Sequence, residues 1–283
     1  MQSAKSRVIE YYHKSLTDYF LVLFRQGNYS MNFGYWDSKV KNRNASFYRI
    51  FEKAQEKVRA KPTDLLLDAG CGLGEGSFWF AQHVGCQVIG VSLTPSQITT
   101  ARKISSKRGL ANAKFVVMDY ADLRFKSNTF DVIIAIETIC HLEDKTDFYR
   151  EAMRVLKPGG RLVVAEYTLT ETSQTPQDQE NMSNFLDCWA MPNFWTVSQH
   201  TAALNQLGFV KIKSEDYSDK TIRTAKFLYK CSLVGLPIYR FFHKFGLIDE
   251  VRLKNAMGCK YQWVTKQRKL WSHSLISAMM SNK

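Results

Sequence analysis

Between residues 64 and 168, short apolar runs alternate with amphipathic ones. "DLLLDAG", "CQVIGVSL", "AKFVVMDY", "FDVIIAIE" and "GRLVVAEY" are almost continuously apolar, as strands covered on both faces of a parallel sheet are. The segments between them, "GEGSFWFAQHV", "TPSQITTARKISSKRG" and "KTDFYREAMRVLK", repeat at helical spacing. Thr94 before Pro95 reads as an N-cap with proline at the first helical position, and Gly109 and the run Pro158-Gly159-Gly160 read as helix stops. The pattern predicts a doubly wound α/β core with a mostly parallel sheet and right-handed crossovers.

Residues 1–60 read as helical and aromatic, broken at "QGNYSMNFGYWD", and form a helical lid segment ahead of a main domain at 61–283. The stretch 169–195, polar and then "NFLDCWAMPNFW", is too long for a plain connection and predicts a lid. "TVSQHTAALNQLGFVKIKSEDYS" predicts a helix, a stop at Gly208 and a further strand. The last 65 residues predict helices interrupted at Gly235-Leu236-Pro237 and a closing segment. Residues 169–195 and 218–257 are the expected substrate cap.

Composition narrows the class. Hydrophobic residues make up 45% and charged residues 23%, which is ample for a core. The six cysteines show no CxxC spacing, which argues for a reducing compartment and against a zinc site. The N-terminus lacks the apolar core of a signal peptide, and no run approaches the roughly 18 apolar residues of a membrane span; the expectation is a cytoplasmic protein. The formal charge is +13. From Asp219 onward thirteen basic residues face three acids (Asp219, Asp249, Glu250), a net of +10 that leaves +3 for the other 218 residues. Such a region suits nucleic acid, an anionic membrane, an acidic partner or simply solvent. No Asn/Asp-Pro-Pro-Tyr motif follows the fourth strand and no RNA-binding module is recognisable.

The sharpest chemical signal is "LLLDAGCGLGEGS": a strand, Asp68, glycines at 70, 72, 74 and 76, then a helix. Glycine permits positive φ and close approach of a ligand to the backbone beside a helix N-terminus. A dinucleotide fingerprint would need G-x-G-x-x-G and an acid ending the second strand. This chain has Ser77 at the third glycine and Ser92 at the strand end. The spacing Asp-x-Gly-x-Gly-x-Gly instead resembles that of class I S-adenosylmethionine-dependent methyltransferases.

Further motifs carry the same resemblance. "VIGVSLTPSQ" resembles the "GVxLSPxQ" element of tocopherol methyltransferases, and "IAIETICH" is similar to the "YAIEATCHA" of sterol C-methyltransferases. "DYFLVLFRQGNYSMNFGYWD" resembles the N-terminal segment of cyclopropane fatty acid synthases, and "NAMGCKYQWVTKQRKLWSHSLISA" the closing segment of small-molecule methyltransferases. The chain is identified as a member of this sterol, tocopherol and cyclopropane-synthase-like group. The resemblance implies S-adenosyl-L-methionine as cofactor, held by Tyr29, Ser30, Asp68, Gly70, Cys71, Gly72, Gly74, Ser92, Leu93, Gln97, Asp119, Tyr120 and Ile136. Tyr29, Tyr35 and Trp36 are candidates for cation–π contact with the sulfonium.

It also implies methyl transfer to a bulky hydrophobic natural product (isoprenoid, polyketide or aromatic) at carbon, oxygen or nitrogen. Tyr11, Tyr12, Trp36, Phe185, Trp189, Met191 and Trp195 would supply the acceptor pocket, each equally at home in a core. At the mouth of the fourth strand, His141 is the candidate base, Glu137 the candidate for substrate or cation stabilisation, and Glu166 the group that would orient His141. Glu137 could instead bond backbone amides, and His141 settle a turn before an N-cap at Asp144. No metal is expected, and a monomer or homodimer is. A nucleic-acid methyltransferase using the basic region, or a non-catalytic scaffold at a membrane surface, are the alternatives.

Overall fold

The computed structural model describes residues 3–24 and 27–282; Arg25 and Gln26, part of a motif quoted above, lie outside it, as do Met1, Gln2 and Lys283. The core elements are β1 (Leu65–Ala69), α3 (Glu75–His83), β2 (Gln87–Ser92), α4 (Pro95–Lys107), β3 (Ala113–Val117), β4 (Phe130–Ile136), α5 (Thr146–Val155) and β5 (Leu156–Leu169). Helices α1 (Ala4–Val22) and α2 (Arg43–Val58) precede them. After them come α6 (Pro176–Cys188), β6 (Trp195–Thr196), α7 (Val197–Gln206), β7 (Phe209–Asp216), α8 (Ser218–Lys244), α9 (Glu250–Gln267) and β8 (Trp271–Met280).

Among the described residues the strands form one sheet in the order β3-β2-β1-β4-β5-β8-β7, with β6 paired to β5. The pairings from β3 to β5 are parallel, and β8 is antiparallel to both neighbours. Alternate side chains fall on opposite faces, as the pleat demands. Leu66, Ile134 and Val163 join one buried cluster with α2 and α3, and Leu67, Ile133 and Val164 join the other with α5 and α7. This is the doubly wound, mostly parallel fold expected, and the chain order reverses between β1 and β4, where such sheets hold ligands.

Helices α1, α6, α8 and α9 pack over the strand mouths as a cap. Ion pairs join its parts: Asp18 with Arg252 at 2.7 Å, Asp178 with Arg268 at 3.0 Å, and Asp187 with Lys254 at 2.9 Å. Three local expectations need correction. The break at Gly235-Leu236-Pro237 is absent, because α8 runs through it with Pro237 on its exposed side. Thr94 is the N-cap of α4 by position, but its hydroxyl makes no capping hydrogen bond. The cap of α5 is Lys145 rather than Asp144, whose Oδ1 accepts from the Thr146 amide at 2.8 Å.

Candidate active site

The loop after β1 turns on left-handed glycines, with φ of 78° at Gly70 and 53° at Gly72. A side chain at Gly70 would place its Cβ 1.7 Å from Thr138 Oγ1, so the mouths of β1 and β4 touch only because this residue is glycine. Asp68, buried at the end of β1, accepts a hydrogen bond from Ser77 at 2.6 Å, and burial lifts its carboxyl to about 6. At the β2 mouth, Ser92 Oγ donates to Gln97 Oε1 at 2.7 Å and accepts from the Thr94 amide at 3.1 Å. Ser30 Oγ and Thr94 Oγ1 are buried on the wall of the cleft with no hydrogen-bond partner among the described residues. Such orphaned hydroxyls are costly unless a ligand meets them.

The "FDVIIAIETICH" segment ends in strained backbone. Glu137 has φ of 49°, a left-handed conformation that costs a residue with a side chain about 1–2 kcal/mol. Its amide still donates to Ala165 O at 2.7 Å, while its carboxylate turns back over the strand mouth. There it accepts from the Phe33 amide at 3.0 and 3.1 Å and from the Tyr167 hydroxyl at 2.8 Å. Burial raises its carboxyl to about 8. Glu137 therefore latches the segment after α1 onto the sheet, and it also lines the cleft. The amide-bonding alternative describes its contacts.

Glu166 is wholly buried and does not reach the cleft. Its oxygens accept from the amides of Thr138 at 3.2 Å, Cys140 at 2.9 Å and Tyr167 at 2.9 Å, so it braces the turn carrying Glu137 and His141. It does not orient the imidazole as expected. His141 Nδ1 lies 3.1 Å from the carbonyl of Ala190, which can only accept, so Nδ1 carries the proton. Nε2 is then the lone-pair nitrogen, and the Tyr12 hydroxyl donates to it at 2.8 Å. Burial holds the imidazole down at about 4, so His141 is neutral near pH 7.

Beyond this turn the cleft opens into an aromatic chamber under the cap, walled by Tyr11, Tyr12, Tyr19, Phe33, Trp189 and Met191. Its far end is polar. Asp18 accepts from the Tyr239 hydroxyl at 2.6 Å and from Arg252, while Asn255 bridges Asp18 to Tyr11.

Of the expected cofactor residues, Tyr29, Ser30, Asp68, Gly70, Cys71, Gly72, Ser92, Leu93, Gln97, Tyr120 and Ile136 line this cleft. Gly74 does not; it starts α3 against Phe115 and Phe78. Asp119 lies outside the lining, and its carboxylate is bound by Lys5 at 2.6 Å and by the Ala121 amide. Of the expected acceptor residues, Tyr11, Tyr12, Trp189 and Met191 are in place. Phe185 is fully buried between Trp189, Phe194 and Trp271; Trp36 bonds Thr224 under Arg223; Trp195 packs on His200. Tyr35 stacks on Tyr217, so of the three sulfonium candidates only Tyr29 faces the cleft.

Residues 67–164 match the family model described as a methyltransferase domain. Over that stretch the chain is similar to a methyltransferase domain. The chain is 32% identical over 166 residues to 2-methyl-6-phytyl-1,4-hydroquinone methyltransferase of Synechocystis sp., which covers 57% of this chain and 52% of that one. It is 30% identical over 224 residues to sterol 24-C-methyltransferase of Saccharomyces cerevisiae, covering 77% and 58% respectively. It thus spans between half and three-fifths of these relatives. The crystal structure of the cyclase SpnF superposes with a TM-score of 0.77 at 20% identity, covering 99% of this chain and 97% of that one, a likeness of fold.

The matched stretch contributes the glycine loop, Ser92, Glu137 and His141, but Tyr12, Tyr29, Phe33 and the cap come from outside it. Several of the cleft's residues escaped sequence reasoning. Glu75, at the first turn of α3, is buried and accepts from Arg108, the Tyr48 hydroxyl and the Tyr29 amide, fixing the Tyr29 segment over the cleft. An acid inside the glycine loop, at the positive end of a helix, was the available signal. Asp18 and Asn255 meet only through the packing of α1 on α9, and no spacing in the sequence announces that.

Proposed function

We propose that this chain transfers a methyl group from S-adenosyl-L-methionine to a hydrophobic small molecule. The observation that carries the reading is continuity: the glycine-walled cleft with its unpartnered hydroxyls runs directly into the aromatic chamber, with Tyr12 and His141 near the junction. The residues fit the cofactor. Tyr29, Ser30, Asp68, Gly70 and Gly72 would hold its amino-acid end, and Ser92, Thr94 and Gln97 its ribose. Bound there, the cofactor supplies an electrophilic methyl on a sulfonium. The cofactor contact expected of Asp119 competes with Lys5 in this arrangement.

The protein's own part is positioning and proton removal. Holding the acceptor in line with the methyl supplies up to roughly 7–11 kcal/mol in well-oriented systems. The chamber's rings hold an apolar acceptor, and the Asp18–Asn255 end fixes a polar group on it. Tyr12 can take a proton from the acceptor as its own passes to Nε2 of His141, while Nδ1 keeps its proton and goes on donating it to Ala190 O. A base held at about 4 is too weak to ionise a free hydroxyl beforehand. It is strong enough to take a proton from an acceptor that has gained positive charge as the new bond forms. That order suits an alkene or electron-rich ring carbon best. The relatives whose names specify an isoprenoid-bearing or sterol acceptor support this reading.

The test is calorimetric titration of the folded chain with S-adenosyl-L-methionine. One binding event per chain is expected, lost in Asp68→Ala. A folded chain that releases no heat overturns the proposal.

A further inference from the structure

Helix α8 has two unlike sides. Leu228, Cys231, Gly235 and Tyr239, spaced by three or four residues, line the cleft. On the other side Leu233, Val234, Ile238 and Phe241 are exposed, and Phe245 and Leu247 follow just beyond the helix end. Val234 is 71% exposed and Phe245 62%. The hydrogen bond from Tyr239 to Asp18 brings the end of α1 alongside, where Phe20 and Leu21 are exposed as well. Scattered exposed apolar residues need no explanation, but a concentration on one helix does.

The same outward side carries positive charge. Lys226, Lys230, Arg240 and Lys244 are exposed, and among the described residues they enter no ion pair. Lys226, Lys230, Val234, Ile238, Phe241 and Phe245 follow one another at steps of four, four, four, three and four residues, so basic and apolar groups share one stripe. Among the described residues no helix is long and apolar enough to cross a membrane. Apolar rings interleaved with unpaired lysines are what an interfacial helix presents to anionic lipid.

We propose that the outer face of α8, with the end of α1, docks on an anionic membrane surface, laying the cap against the bilayer. The docking stands independently of methyl transfer; that it also admits the acceptor to the chamber rests on the proposed function.

The experiment is co-sedimentation of the full chain with phosphatidylcholine vesicles, with and without phosphatidylglycerol. Binding is expected only with the anionic lipid and is weakened by salt. Both the pair Lys226→Glu with Lys230→Glu and the pair Phe241→Ser with Phe245→Ser should lower partitioning by about tenfold or more. All four positions are exposed, so thermal melting should be unchanged and separates lost docking from lost fold. Failure to bind anionic vesicles, equal binding to neutral ones, or a dimer built through these phenylalanines in place of vesicle binding overturns the proposal.

Discussion

Replacing Tyr12 by Phe removes one hydroxyl and leaves the ring. That hydroxyl donates to Nε2 of His141 at 2.8 Å. If the bond merely steadies the imidazole, its loss costs about 0.5–1.5 kcal/mol, or roughly two- to tenfold in rate. If Tyr12 and His141 together remove a proton in the transition state, kcat should fall by about 100-fold or more, which is about 3 kcal/mol. The pH profile separates the cases further. Burial holds His141 at about 4, so the native rate should stay level as pH falls through the ordinary histidine range and drop only near 4. Without Tyr12's hydroxyl the neutral form loses a donor, and the acid limb should move toward higher pH. The assay is kcat and kcat/KM against pH with labelled cofactor, and cofactor affinity should be unchanged. A variant within about threefold of the native rate, with its acid limb unmoved, would refute the proton path.

Other changes probe the remaining parts. Gly70→Ala forces a Cβ into Thr138 and a side chain into a left-handed position, so cofactor binding should vanish and stability should fall by at least about 2 kcal/mol, read by denaturant titration. Asp68 is lifted to about 6, so if its carboxylate holds the cofactor's ammonium, affinity should weaken as pH falls below that value; in Asp68→Asn the calorimetric affinity should be low and flat. Glu137 is raised to about 8 in the folded chain, so the fold binds its proton more tightly than the unfolded chain does. That contribution is full below the ordinary carboxyl range and is lost as pH rises toward 8. Melting of Glu137→Gln should show a shallower fall in stability across that window.

The central strands were legible because a strand covered on both faces must be apolar at nearly every position, as "FDVIIAI" is. The glycine loop was legible because backbone that takes positive φ against a neighbouring strand admits few other residues. Elements outside that logic were harder. β8 carries Ser272 and Ser274, whose hydroxyls meet Thr168 across the sheet at 2.8 Å, so its buried face is partly polar and did not read as a strand. Gly235 and Pro237 looked like a break, yet α8 runs on through both, with Gly235 facing the cleft and Pro237 facing outward.

The candidate site divided in the same way. His141 and Glu137 were found from their place at a strand mouth, but their partners were not. Tyr12, Phe33 and Ala190 lie far from them in sequence, and only the packing of the cap sets the tautomer of His141 and the hold on Glu137. Aromatic residues gave the weakest guidance. Phe185 and Trp189 are one helical turn apart and touch, yet one is core and the other lines the chamber. Spacing alone fixes the side of a helix and leaves open what covers it.

The most direct test of methyl transfer is incubation of the chain with S-adenosyl-L-methionine labelled in its methyl group and an extract of hydrophobic small molecules, followed by solvent extraction. Label should appear in an organic-soluble product, in amounts that rise with active chain and fall sharply with His141→Ala. Cofactor that binds while its label never leaves it would contradict the account.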